Sequence, residues 1–273
     1  MTAPRADLHA MPMHDLLAAI YHKSYHLIVL PSWRPPVAAL VAGLLLRLLG
    51  RGRSALAAGL ALLAGWLALT LPGPLWPADP LARLPGLAIL LLGYSLVAPR
   101  LGRFALLLFA VACAWWLRGA PLGGAGLASV VPVILGLWAA MAIAVRLGRR
   151  DTGWTGMAAA AALAAAIAVS GGAMHWARAA LVPAFAGLAL LGFDVVAPIQ
   201  LAVVLVAAAA VVASDRGRFI PVDAAALAPL LVWFLAPRVQ PRLNQAGPAL
   251  AGALSAAAVV AIVWGSIALF AHR

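Results

Sequence analysis

Glutamate is missing altogether from the 273 residues, and Lys23 is the only lysine. A Gly-rich phosphate loop ending in Lys-Ser or Lys-Thr therefore has no counterpart, which excludes a P-loop nucleotide motor. The seven acidic residues are all aspartates, and none forms the Asp-rich clusters that hold magnesium in prenyl or phospholipid transfer. Cys113 stands alone, so no intrachain disulfide and no thiolate metal cluster can form. It lies in an apolar run beside Trp115 and Trp116, where a lone thiol packs as a small apolar group. Charge of either sign is scarce. Ionisable side chains make up 10% of the chain, against about 25% in ordinary soluble domains.

What fills the sequence instead is apolar. Hydrophobic residues reach 66%, where soluble domains hold roughly 45 to 50%. A net charge of +12 would point to nucleic acid in a soluble protein. Here the arginines cluster between long apolar runs, and basic residues at span ends are the pattern of a chain inserted in lipid. Membrane lipids are the expected partners and nucleic acid is not.

A bilayer core asks for about 20 apolar residues in helical form, with about 17 to 25 as the working range. Apolar runs at 36–50, 54–71, 84–99, 103–118, 126–146, 155–171, 176–192, 195–213, 221–236 and 248–270 predict an all-α bundle of about ten transmembrane helices, with eight to eleven as the range. Residues 54–71 and 248–270 carry no ionised side chain, and 126–146 carries none before its terminal Arg146. Proline and glycine mark the connections at Pro35-Pro36, 72–85 and 119–126. Pro132, Pro183, Pro198 and Pro229 fall inside apolar runs, where a missing donor kinks a helix or serves packing.

Of the ten tryptophans, Trp33, Trp76, Trp115, Trp116, Trp154, Trp176 and Trp264 lie near predicted span ends, at headgroup depth. Trp33, Trp76 and Trp154, together with Lys23, are the expected interfacial anchors. Alternate connections at 47–53, 100–103, 146–150 and 238–242 hold Arg47, Arg51, Arg53, Arg100, Arg103, Arg146, Arg149, Arg150, Arg238 and Arg242. The intervening ones hold only Arg83, Arg118, Arg178, Arg216 and Arg218. The positive-inside rule places the first set in the cytoplasm and both termini outside.

Residues 1–35 read as a separate N-terminal segment preceding a single transmembrane domain at 36–273. Within 14–30, Leu16, Leu17, Ile20, Tyr21, Leu27 and Ile28 recur with helical spacing, opposite His14, His22 and His26. That pattern predicts an amphipathic helix lying in the membrane interface. His22 and His26 have metal-compatible i,i+4 spacing, but no thiol or carboxylate accompanies them, and a solvated polar face explains them as well. Neither a metal nor any other cofactor is expected. The first strongly apolar run starts near Val37, too late for a cleaved signal peptide, so none is expected.

Few polar residues interrupt the spans. Asp194 breaks a 33-residue apolar stretch at 181–213, between Gly192 and Pro198. One reading makes it a carboxylate on a substrate or ion pathway, at a broken helix. The other makes it a helix cap in a tight turn, because 33 residues exceed one span. Arg178 and His175 are the accompanying candidates for the pathway, with an interfacial anchor as the alternative for Arg178. Gly93-Tyr94-Ser95 has the Gly-x-Ser form of intramembrane serine proteases, yet Leu96 stands where a small residue is required, and no catalytic residue is assigned. Ala98-Pro99-Arg100 and Ala236-Pro237-Arg238 match, each closing an apolar run. This fits either duplicated halves or two similar cytoplasmic span ends.

The function expected from these features is a secondary transporter or permease for a small solute in a bacterial-type inner membrane. The alternative is a non-catalytic membrane subunit or assembly factor, acting as a homo-oligomer or with a membrane-complex partner through Ala- and Gly-rich helix faces. A membrane enzyme acting on lipid-linked substrates fits less well, for want of an acid-base or metal constellation.

Overall fold

The computed structural model describes residues 33–49, 54–70, 79–148, 153–170, 174–191, 193, 196–214, 225–239 and 247–271. Lys23, Trp76, Asp194, the N-terminal histidines and the predicted interfacial helix lie outside the described residues. Residues 35–273 form one compact unit. Among the described residues the fold is all helical, with ten α-helices: α1 (Arg34–Leu48), α2 (Ser54–Thr70), α3 (Leu84–Leu101), α4 (Arg103–Leu117), α5 (Gly124–Gly148), α6 (Trp154–Val169), α7 (Met174–Ala189), α8 (Val196–Ser214), α9 (Ala228–Val239) and α10 (Gly247–Ala271). A short 3₁₀ turn, Leu81–Arg83, leads into α3.

Each helix lies on one of the ten apolar runs, and the punctuation explains the ends. Pro35 and Pro36 open α1 and Pro85 opens α3, in the first turn, where a missing N–H costs nothing. Gly102, at φ +53°, is the single residue between α3 and α4. In the run at 221–236, helix α9 starts at Ala228 with Pro229 in its first turn, where a proline is accommodated. Pro99 and Pro237 do not stop their helices. Each sits in a last turn that continues two residues further.

Segments Leu81–Leu101, Gly126–Leu147, Ala197–Ser214 and Gly247–Gly265 are long and apolar enough to cross a membrane; Ala55–Thr70, Phe104–Leu117, Trp154–Val169 and Ala228–Val239 are shorter apolar helices. Large apolar side chains such as Leu45, Leu48, Ile89, Phe104, Leu108, Leu135 and Ile262 face outward. An apolar exterior around an apolar interior is consistent with a helical membrane bundle, since water would disfavour so much exposed hydrocarbon.

Helix α8 is the centre of the bundle. It packs against α2, α3, α4, α5, α6 and α7. Of its segment 197–214, 67% is buried, against 22 to 28% for the other three long apolar segments. Its sequence accounts for this: an alanine and valine cylinder without a polar stripe can be surrounded on every side. Gln200 is the exception, fully buried near Gly156.

Small residues bring neighbouring helices close. Gly65 on α2 leaves room for Val182 of α7 and Ala39 of α1, and Gly187 on α7 makes room for Met157 of α6. Trp66 is fully buried, and its indole Nε1 donates to Ala179 O at 3.2 Å, tying α2 to α7.

Candidate ligand cavity and its charged rim

Helix α5 packs on both α8 and α9, while direct contact between α8 and α9 is slight among the described residues. Between these three helices lies a cavity of about 490 Å³, within the range of roughly 300–1,000 Å³ usual for small-molecule sites. Pro132, Gly136 and Ala140 of α5, Val204, Ala207 and Val211 of α8, and Pro229, Leu230 and Trp233 of α9 line it, with Arg118 at one end. The volume has a local cause. Gly136, Ala140, Ala207 and Ala208 present almost no side chain, and Pro132 and Pro229 keep their rings where a longer residue would reach across.

The cavity uses the middle of α5, the second half of α8 and the first half of α9, and reaches Arg118 at the end of the bundle where α4 closes and α5 opens. That end carries the arginine-poor connections.

Two lining residues are polar, and both are donors. Trp233 is 2% exposed, and its indole Nε1 has no hydrogen-bond partner. The contrast is with Trp66, Trp115 and Trp116, whose indoles donate to Ala179 O, Pro121 O and Arg83 O respectively. An unmet buried donor costs about 1–3 kcal/mol. Arg118, half-buried, donates through Nε to Ser129 O at 3.3 Å, the first turns of α5.

The residues after α4 hold Arg118 in place. Gly119 N donates to Trp116 O at 3.0 Å and Ala120 N to Trp115 O at 2.8 Å, the paired bonds of a Schellman cap with Gly119 left-handed at φ +86°. The Arg83 guanidinium donates to Leu117 O, supplying a cation to the carbonyl end of α4. A Cβ at Gly119 would lie 2.9 Å from Arg83 Nη2. Gly119→Ala is therefore expected to cost about 1–2 kcal/mol from the left-handed backbone alone, read as a lowered melting temperature in detergent; an unchanged value would refute this cap.

Beyond Arg83 the same end of the bundle carries Asp79, His175 and Arg178. Asp79 accepts a hydrogen bond from Leu81 N at 3.1 Å, capping the 3₁₀ turn. His175 is exposed, precedes the apolar run of α7, and its ring lies 5.9 Å from that of Trp176. Partial burial lowers its pKa below 6.5; Asp79 acts to raise it and Arg178 to lower it further. Protonation of His175 thus opposes the fold. Its contribution to stability is full above pH 6.5 and is lost as pH falls through the folded pKa. In NMR titrations, Asp79→Asn is expected to lower the His175 pKa and Arg178→Gln to raise it. The reverse signs would separate these groups in space.

The structure therefore places predicted candidates His175 and Arg178 together, with Asp79 as a third member. Arg178 is half-buried and its Nε has no hydrogen-bond partner. From Arg178, α7 runs unbroken to Ala189, roughly 17 Å at 1.5 Å per residue. Turn bonds from Leu191 N to Leu188 O and Phe193 N to Leu190 O follow, and α8 starts at Val196. Arg47 stands 5.7 Å from the Phe193 ring centroid at that far end. Trp33 immediately precedes α1, and Trp154 is the half-buried first residue of α6.

The Gly-x-Ser segment is structural. Ser95 Oγ donates to Leu91 O at 2.9 Å, and Tyr94 stacks on Phe109 with centroids 4.8 Å apart. Ser95 also lies roughly 20 Å along the helix from Leu81, the end at which His175 meets Asp79. Cys113 is fully buried in α4. Among the described residues no group of three His, Cys, Asp or Glu side chains is placed to hold a metal.

Arg118, Trp233 and Asp79 were not singled out as site residues from sequence. Nothing in the sequence marked Trp233, which lies three positions from the predicted span end at 236, as Trp115 does from 118. Comparison with protein families, with characterised proteins and with solved structures finds no match to this chain.

Proposed function

We propose that this chain is a carrier for a small solute in a bacterial-type inner membrane, crossing it about ten times, with the α5–α8–α9 cavity as the place where the solute is held. The observation that supports this reading is a cavity of about 490 Å³ beside the central helix, lined by alanines, valines and prolines. A bundle that served only as a scaffold would gain by filling that space. Pro132 and Pro229 border the cavity from two helices, and Pro132, inside α5, removes one backbone hydrogen bond at a position where a helix can bend. His175 and Arg178, with Asp79, form a charged entrance at the arginine-poor, outward face. Asp194 is the candidate coupling carboxylate beyond α7.

Sidedness of access tests the proposal without knowledge of the solute. In a Cys113→Ala background, a single cysteine replacing Ala208 is exposed to a membrane-impermeant thiol reagent, applied to sealed vesicles of either orientation. A carrier is expected to be labelled from both sides. Labelling from one side only, together with a stoichiometric partner retained in gentle detergent, would overturn the carrier and favour a membrane subunit.

A further inference from the structure

We propose that the arginine-rich end of the bundle is a binding surface for the headgroups of anionic phospholipids, which the protein gathers around itself in one leaflet. The proposal rests on the chain being inserted in a bilayer. It does not depend on the carrier reading.

The fold assembles this end from segments far apart in sequence. Gly43, late in α1, packs on Ala189 and Leu190 at the end of α7, and Gly187 near that end packs on Met157, early in α6. Gly252, early in α10, packs on Trp154 and Ala158 at the start of α6. With α2 and α3 antiparallel, contact of Gly59 with Leu92 sets the start of α2 beside the end of α3. The connections at 47–53, 100–103, 146–150 and 238–242 therefore leave the bundle at the same end.

Those four connections hold ten arginines, whereas the whole chain has seven aspartates and no glutamate. However the aspartates are placed, the chain cannot neutralise this end, and the remaining counter-charge must come from outside. Helix dipoles do not account for the placement. Arg47, Arg100, Arg146 and Arg238 lie in the last turns of α1, α3, α5 and α9. Helices α2, α4, α6, α8 and α10 close at the other end with the same dipole, yet none has a basic residue in its last turn. All four arginines are exposed beside exposed hydrocarbon: Leu48 next to Arg47, Leu101 next to Arg100, and Ile143 one turn before Arg146. Arg238 lies 3.5 Å above the centre of the exposed Phe234 ring. Charge beside hydrocarbon matches the boundary between phosphate and acyl chain, whereas an acidic soluble partner would leave that hydrocarbon in water. A phosphodiester also accepts the two parallel N–H donors of a guanidinium.

Electron spin resonance of spin-labelled lipids tests this, with the full chain reconstituted in phosphatidylcholine vesicles and the fraction of label immobilised at the protein as the readout. Spin-labelled phosphatidylglycerol is expected to be preferred over spin-labelled phosphatidylcholine about fivefold at low salt, the factor for roughly one surface arginine per bound headgroup. The preference falls toward unity in about 1 M salt, where charges are screened within a few ångströms. Glutamine in place of Arg47, Arg100, Arg146 and Arg238 together is expected to reduce it to about twofold or less. Lysine at the same four positions retains it, and the lysine variant with the salt series on the wild-type chain decides the matter should the glutamine variant not fold. Equal immobilisation of the two lipids at low salt, a preference indifferent to salt, or a folded glutamine variant as selective as wild type would each overturn the proposal. So would inorganic phosphate that abolishes the preference at an ionic strength where chloride does not, since the ligand would then be a free anion. Lipid preference with one-sided labelling of the cysteine replacing Ala208 would leave this surface standing and remove the carrier. Two-sided labelling without lipid preference would do the opposite.

Discussion

Gly65→Ala is expected to destabilise the protein by about 2–3 kcal/mol, the upper part of the range for overpacked cores. The added Cβ would stand 2.6 Å from Val182 Cγ1, 2.9 Å from Ala39 Cβ and 3.0 Å from Pro35 O. Two of these neighbours, an alanine Cβ and a backbone carbonyl, have no rotamer to turn away with. Helices α1, α2 and α7 would have to separate, disturbing the Trp66 to Ala179 hydrogen bond as well. Two other glycines provide controls on the same scale. At Gly59 the close neighbours are Cδ2 and Cγ of the one side chain Leu92, and at Gly93 a Cβ meets nothing within 4 Å. Gly93→Ala should be neutral or stabilising by up to about 1 kcal/mol, because alanine is the better helix former. Thermal unfolding of the three variants in one detergent checks the order. A Gly65→Ala protein as stable as Gly93→Ala would show that α1, α2 and α7 do not meet through Gly65.

Gly136→Leu is expected to close the cavity while leaving the fold intact. Gly136 lines the space, and a Cβ built there meets nothing within 4 Å, so a longer side chain enters open volume and not a packed neighbour. Replacing a mid-helix glycine also favours the helix by about 0.5–1 kcal/mol, so the melting temperature should hold or rise. The cysteine replacing Ala208 should then lose its labelling, to the level of a cysteine buried among helices. Loss of labelling with unchanged stability is the signature of a filled site. If labelling persists in the leucine variant, the space between α5, α8 and α9 is not the route by which Ala208 is reached, and the carrier proposal loses its support.

The helices were largely legible before any coordinates. Apolar runs bounded by Pro and Gly marked all ten helices of the described residues. The pair His175 and Arg178 was legible because both lie within one turn of the same helix. Asp79 was not, since it is 96 positions from His175 and only the fold of α3 against its neighbours makes them act on one another. Arg118 looked like one more loop arginine, and Trp233 like one more apolar residue.

By itself the sequence determined the element type, the approximate extent of each helix and the apolar environment that this chain needs, because these depend on composition and on periodicity along a few turns. Only the tertiary structure decided that α8 lies at the centre, that α8 and α9 part to leave a cavity beside α5, and that Arg118 and Trp233 share it. Helix formation is settled by neighbours within four residues. Which helices approach closely is settled by glycines and alanines such as Gly65 and Ala39, small residues far apart in the chain whose complementarity appears only when the helices meet.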